Sequence, residues 1–139
     1  MKSYLMNNPA GDDFNNCTII SLSLAACIPY KEAEEIGIKA GRKRNEGFHL
    51  EPLYKEARKK GIRIKKVPVK NKTNLKQFIL DYPVGRFVIA KSTHAFCVIN
   101  GIVHDVIKNG NNSIVESAYY FDVKSVDKIK SYFKDNYFN

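Results

Sequence analysis

The chain divides by the period of its apolar positions. From Cys17 the run Thr18-Ile19-Ile20-Ser21-Leu22-Ser23-Leu24-Ala25-Ala26 is apolar on every side and long enough for a buried helix. Before it, Gly11-Asp12-Asp13-Phe14-Asn15-Asn16 is a loop of turn-formers, with Asn15 or Asn16 placed to cap the helix. A second helix is predicted to follow Ile28-Pro29, with Pro29 and Tyr30 near its start, early glutamates where the helix dipole favours them, and Gly41 at its end. The basic loop Arg42-Lys43-Arg44-Asn45-Glu46-Gly47-Phe48 leads to a third helix, His49 to Lys60, which Gly61 terminates.

The second half changes period. Ile62, Ile64, Val67 and Val69 suggest a strand; Thr73 is placed to cap a short helix carrying Leu75, Phe78, Ile79 and Leu80, which Pro83 ends. Phe87-Val88-Ile89-Ala90 is the continuous apolar run of a buried strand. Ala95 to Ile99 and Ile102 to Val106 flank Asn100-Gly101, the strongest short-range hairpin signal. A further strand is expected within Ser113 to Val123 and a terminal helix over Lys124 to Phe133. The pattern predicts an α+β fold, a helical N-terminal half packed on an antiparallel sheet, and the length of 139 residues suits one domain spanning 1–139.

Composition narrows this picture. Hydrophobic residues make up 44% and charged residues 27%, a globular balance without repeats or low-complexity tracts. The N-terminal residues turn polar almost at once, without the apolar core of a signal peptide, and no later run could span a bilayer. The expectation is a soluble protein with no membrane partner. Three cysteines, Cys17, Cys27 and Cys97, are odd in number and lack C-x-x-C spacing, which fits free thiols in a reducing cytoplasm.

The net charge of +9 admits an acidic partner or nucleic acid. Its densest run, Lys55 through Lys72, follows the end of the third helix and the strand and loop after it, with no aromatic residue between Tyr54 and Phe78. A solvated basic face is the expectation, with nucleic-acid binding the competing class.

Chemistry concentrates at three positions. A cysteine opening a helix is favoured as thiolate by unpaired N–H groups and the positive end of the dipole, and the same N–H groups can donate to an oxyanion. Cys17 has that place, and a buried structural cysteine is the alternative. In a two-residue Asn100-Gly101 hairpin Ile99 pairs with Ile102, so Asp105 falls opposite Phe96 and diagonal to His94, on one face. That pairs a base with a carboxylate that orients it. The same parity sends Cys97 and His104 to the opposite face, as a core thiol and a satisfied or exposed histidine. His49 is a rival base without a hairpin carboxylate, and fits a surface or capping role better. Cys17, His49, His94 and Cys97 lack paired ligand spacings, and Gly41 to Gly47 lacks the ending of a phosphate loop, so neither metal nor cofactor is expected.

Asn16-Cys17 opening a helix, Gly41-Arg42-Lys43 with Gly47, Gly85-Arg86-Phe87-Val88, and Thr93-His94-Ala95-Phe96 leading to Asn100-Gly101 and Asp105 together resemble small papain-like cysteine-peptidase domains. The likeness is to uncharacterised phage and bacterial proteins akin to the bacteriocin-processing C39 peptidases, over roughly residues 12–106. It implies a papain-like fold, a nucleophile Cys17, a base His94 and an orienting Asp105. Papain-like peptidases usually carry a glutamine several residues before the cysteine as oxyanion donor; this chain has Gly11, Asp12 and Asp13 there, leaving Asn15 and Asn16 as candidates. Arg42, Lys43 and Arg44 are candidates for binding an acidic substrate, with solvated loop charge as the alternative. The implied activity is cysteine-dependent acyl transfer on a protein or peptide, as peptidase, isopeptidase, deamidase or transglutaminase. The alternative is a catalytically inactive relative, phage-encoded and resident in the host cytoplasm, that engages an acidic host protein or nucleic acid through its basic surface.

Overall fold

The computed structural model describes residues 2–138. Strands β1 (Lys2–Leu5), β2 (Arg63–Val67), β3 (Arg86–Lys91), β4 (His94–Ile99), β5 (Ile102–Asp105) and β6 (Ser117–Asp122) form one sheet in the order β1-β5-β4-β3-β6-β2. Helices α1 (Cys17–Ala26), α2 (Tyr30–Ala40), α3 (Leu50–Lys59), α4 (Leu75–Asp81) and α5 (Lys130–Asn136) complete a mixed α/β architecture, with a 3₁₀ turn at Asp127–Ile129 before α5.

Helix α1 is central. Thr18 through Ala26 are all buried, which is why its sequence lacks an amphipathic stripe. Its two buried serines are satisfied locally: Ser21 donates to the Thr18 carbonyl, and Ser23 donates to Ile28 O while accepting from the Tyr137 hydroxyl. Gly37 lets α2 approach closely, since a Cβ there would lie 2.6 Å from Ile19 Cδ1. Leu22 and Leu24 of α1 join Ala33 and Ile36 of α2, Leu53, Tyr54 and Ala57 of α3, and Val88, Cys97, Tyr119 and Phe121 of the sheet in one core.

The opposite face of the sheet holds a second core. Phe87, Ile89, Phe96, Val98, Val103 and Ala118 pack there with Leu75 and Phe78 of α4. Strict alternation along β3 and β4 separates the two sets, so these central strands are buried on both faces and read as continuous apolar runs. The cap of α4 is Asn74, whose Oδ1 accepts from Gln77 N; the expected Thr73 instead bonds Lys70 O.

The sheet is not wholly antiparallel. β1, which the polar start of the sequence did not suggest, runs parallel to β5, with Lys2 opposite Ile102 and Leu5 opposite Asp105. Its residues are all exposed, so it carries no apolar alternation to announce it. The terminal helix begins later than expected, at Lys130. Among the described residues no helix is long and apolar enough to cross a membrane.

Candidate functional site

Cys17 is the first residue of α1 and is half-buried. Helix starts leave their first N–H groups without intrahelical acceptors, and those of Cys17 and Thr18 fall in this class because the ladder begins with Ile19 and Ile20 donating to Asn16 O. The Asn16 side chain does not cap the helix. Buried, it exchanges amide hydrogen bonds with Asn8 at 3.1 Å in both directions and donates to the Tyr30 hydroxyl at 3.0 Å.

Across from Cys17, the β4–β5 hairpin has the register expected of Asn100-Gly101: Ile99 opposite Ile102, Val98 opposite Val103, Cys97 opposite His104. Positive φ at Asn100 (49°) and Gly101 (77°) makes this turn possible. His94 at the start of β4 and Asp105 at the end of β5 are thereby brought together, His94 Nε2 lying 2.7 Å from Asp105 Oδ2. The carboxylate is fixed by two further donors, the Val106 backbone N–H and the Asn109 side-chain amide, each at 2.7 Å. Met6 N donates to the Asp105 carbonyl at 2.6 Å, so β1 anchors the same residue from the sheet edge. The imidazole stacks on Phe96 at 6.0 Å between centroids.

The electrostatics follow from these contacts. Burial disfavours a charged His94, but its hydrogen bonds to Asp105 and to Cys17, with the negative charge of both, outweigh burial and lift its pKa to about 9. Burial likewise disfavours a Cys17 thiolate, yet hydrogen bonds from His94 and the Ala95 backbone, and the histidine charge, bring its pKa below the ordinary 9.0. With Nε2 committed to Asp105, the contact with the thiol falls to Nδ1. The pair can exchange a proton, and the carboxylate favours the imidazolium.

The other sequence candidates lie outside the contacts that join His94 to Asp105. Arg42 leaves the cleft: it is buried and makes a bidentate bond at 2.9 Å to Asp13, whose side chain is fully buried. Asp13 also accepts from Asn45 N, while Asn45 Oδ1 accepts from Phe14 N and Asn45 O accepts from the Asn15 side chain. Asn15 is therefore turned to the 42–46 loop, with φ of 57°, and the set ties the loop before Cys17 to the loop before α3. Lys43 is exposed, and Arg44 forms an exposed ion pair with Asp12. His49 precedes α3 without a side-chain cap bond and lines a cavity that His94 also borders. Cys97 is buried and donates to Ser21 O at 3.2 Å, and burial pushes its thiol well up. His104 is buried between Tyr4 and Phe138 and held neutral, its pKa lowered to about 4 by burial and then by Arg86. Among the described residues no cluster of His, Cys, Asp or Glu could hold a metal ion.

Two open cavities meet at this point. One, of about 510 Å³, is lined by Asn8, Asn16, Cys17, Phe48, His94 and Ile107 among others. The second, of about 430 Å³, shares Thr18, Gly47, Phe48, Thr93 and His94 with it. Sequence reasoning missed Asn8 and Asn109. Both lie in polar loops, and only the fold brings them to Cys17 and Asp105. Compared with protein-family models, with curated proteins and with solved structures, the chain matches none of them.

Proposed function

We propose that the chain is a papain-like, cysteine-dependent acyl-transfer enzyme with Cys17 as nucleophile, His94 as base and Asp105 as the group that orients His94. The observation that carries this reading is the 2.7 Å bond between His94 and Asp105 beside a thiol that His94 holds below its ordinary pKa, at the N-terminus of a ten-residue helix. In the reaction His94 takes the Cys17 proton and the sulfur bonds the acyl carbon of a peptide, isopeptide or glutamine side chain. As the C–N bond breaks, the leaving amine or ammonia receives the proton from His94. Water or a second amine then attacks the thioester, gives a proton to His94, and the C–S bond breaks as the thiol is restored.

The oxyanion would be met by the unpaired N–H groups of the helix start and by Asn8. Asn8 lines the cavity beside Cys17, is oriented by its reciprocal bonds with Asn16, and donates only one amide hydrogen within them. Asn16, with its amide taken by Asn8 and Tyr30, acts as the support rather than the donor.

The test is intact-mass labelling with a low dose of iodoacetamide near neutral pH, wild type against His94→Ala. Fast modification at Cys17 alone, slowed at least tenfold in the variant, is the expected outcome. Slow or indiscriminate labelling that the variant leaves unchanged would make Cys17 structural. The second reading, binding of an acidic protein or nucleic acid, would then lead, supported by the exposed Lys55, Arg58, Lys59, Arg63, Lys65 and Lys66 of α3 and β2. Its signature is an affinity that falls steeply with added salt.

A further inference from the structure

The cavity of about 430 Å³ beside His94 has a composition that the chemistry of Cys17 does not use. Its walls include Phe48, Leu50, Ala90 and Ala95, and its polar residues include His49, Glu51 and Tyr119. Glu51 stands in the first turn of α3, and Tyr119 comes from β6, so two rigid elements converge here. The buried Tyr119 donates its hydroxyl to Glu51 Oε1, which orients the carboxylate. Burial and the neighbouring glutamate lift the tyrosine pKa to about 12, so it stays a donor. Among the described residues Glu51 is in no ion pair. A chain with net charge +9 that keeps an exposed, oriented acid outside any of these ion pairs at the rim of an apolar-walled cavity next to a thiol has a recognition element for the opposite charge.

We infer that this cavity binds the side chain of a lysine or arginine in a polypeptide substrate, with the aliphatic stem along Phe48 and Leu50 and the cationic head on Glu51. A long cationic side chain matches apolar walls with an acid among them, because its methylenes bury while its head is paired. The inference names a substrate class and rests on the acyl-transfer reading, since it is Cys17 that gives occupancy of this cavity a chemical consequence. A neighbouring cation, Lys66, has its Nζ 5.8 Å from the Tyr119 ring centroid and weakens the field of Glu51 from outside the cavity lining.

The experiment uses nitrogen-15-labelled Cys17→Ala protein, titrated with end-capped Ala-Ala-Lys-Ala-Ala and with its norleucine counterpart. The lysine peptide is expected to shift the amides of Leu50, Ser117 and Tyr119 and to saturate at a concentration at least tenfold lower than the norleucine peptide. Glu51→Gln, which keeps shape and removes charge, should erase that difference, Tyr119→Phe should reduce it, and Lys66→Met should enlarge it. Equal saturation by the two peptides, or a lysine preference that survives Glu51→Gln, overturns the inference. So does the absence of any shift at these amides. Iodoacetamide labelling of the wild type is read separately: an activated Cys17 with no lysine preference rejects only the substrate class, whereas an inert Cys17 rejects the acyl-transfer reading whatever the peptides do.

Discussion

Two buried carboxylates pair with cations on the two sides of Cys17, and they differ in what the cation can do. Asp13 meets Arg42 through two bonds of 2.9 Å, with side-chain exposures of 0% and 3%. Asp105 meets His94 through one bond of 2.7 Å, with exposures of 5% and 20%. Arginine keeps its proton at any physiological pH, so the first pair is a permanent clamp between the loop before Cys17 and the loop before α3. Histidine can release its proton, and its open edge borders both cavities. The same type of contact thus serves as a fastener in one place and leaves a releasable proton in the other, and the identity and burial of the cation separate the two.

The comparison breaks most sharply on stability. Arg42→Met leaves the Asp13 charge buried without its guanidinium, at an expected loss of about 3–5 kcal/mol in urea unfolding. His94→Ala should lose far less, about 1 kcal/mol, because Asp105 keeps the Val106 and Asn109 donors. Equal losses would dissolve the distinction. The clamp should also give way in strong acid: burial disfavours the Asp13 charge, but Arg42 and Asn45 outweigh it and hold its pKa below 3.8, so its contribution is present above that value and disappears as pH falls through the lowered one.

Asp105→Asn tests the other pair by pH. His94 has a pKa raised from 6.5 to about 9, so the contribution of its pairing is fully present below 6.5 and is lost as pH rises through about 9. The variant should therefore be destabilised most near pH 6 and least above pH 10, in thermal unfolding at each pH. Without the carboxylate, His94 is less often protonated and the Cys17 pKa moves up, so the pH at which alkylation reaches half its maximum should rise. A profile that does not move would remove Asp105 as the orienting group.

The smallest effect sharpens the comparison. Asn109→Ala removes one donor to Asp105, worth about 1 kcal/mol, and should slow Cys17 alkylation by roughly fivefold while leaving Arg42 and its partners untouched. A shifted alkylation profile that Asn109→Asp fails to restore would mark a positioning role for the amide; a loss of stability with an unchanged profile would mark a purely structural one.

What could be read from the sequence was what short-range geometry dictates. The two-residue turn at Asn100-Gly101 fixes register, register fixes parity, and parity brings Asp105 to His94. Helix α1 was equally legible, because nine consecutive buried positions follow Cys17. The failures are long-range. Arg42 looks like loop charge until Asp13, 29 residues earlier, is seen beside it. Asn8 and Asn109 sit in stretches of turn residues whose partners are set by tertiary contacts. β1 has no buried face and exists only because β5 offers it an edge. Thr73 and Asn74 are both competent caps, and the isolated bridge between Asn74 and Ile114 fixes the helix start at the second.

The parallel pairing of β1 also sets an order of events in folding. Lys2 can meet Ile102 only after the roughly one hundred residues between them have been synthesised, so this contact has among the longest loops to close in the molecule. The hairpin, by contrast, is local and can form on its own timescale. Until β1 docks, β5 is an open edge able to template pairing with another chain. Docking covers β5, moves the sheet edge out to the short four-residue β1 and, through Met6, seats Asp105, so maturation of the site and coverage of β5 are completed by the same late step.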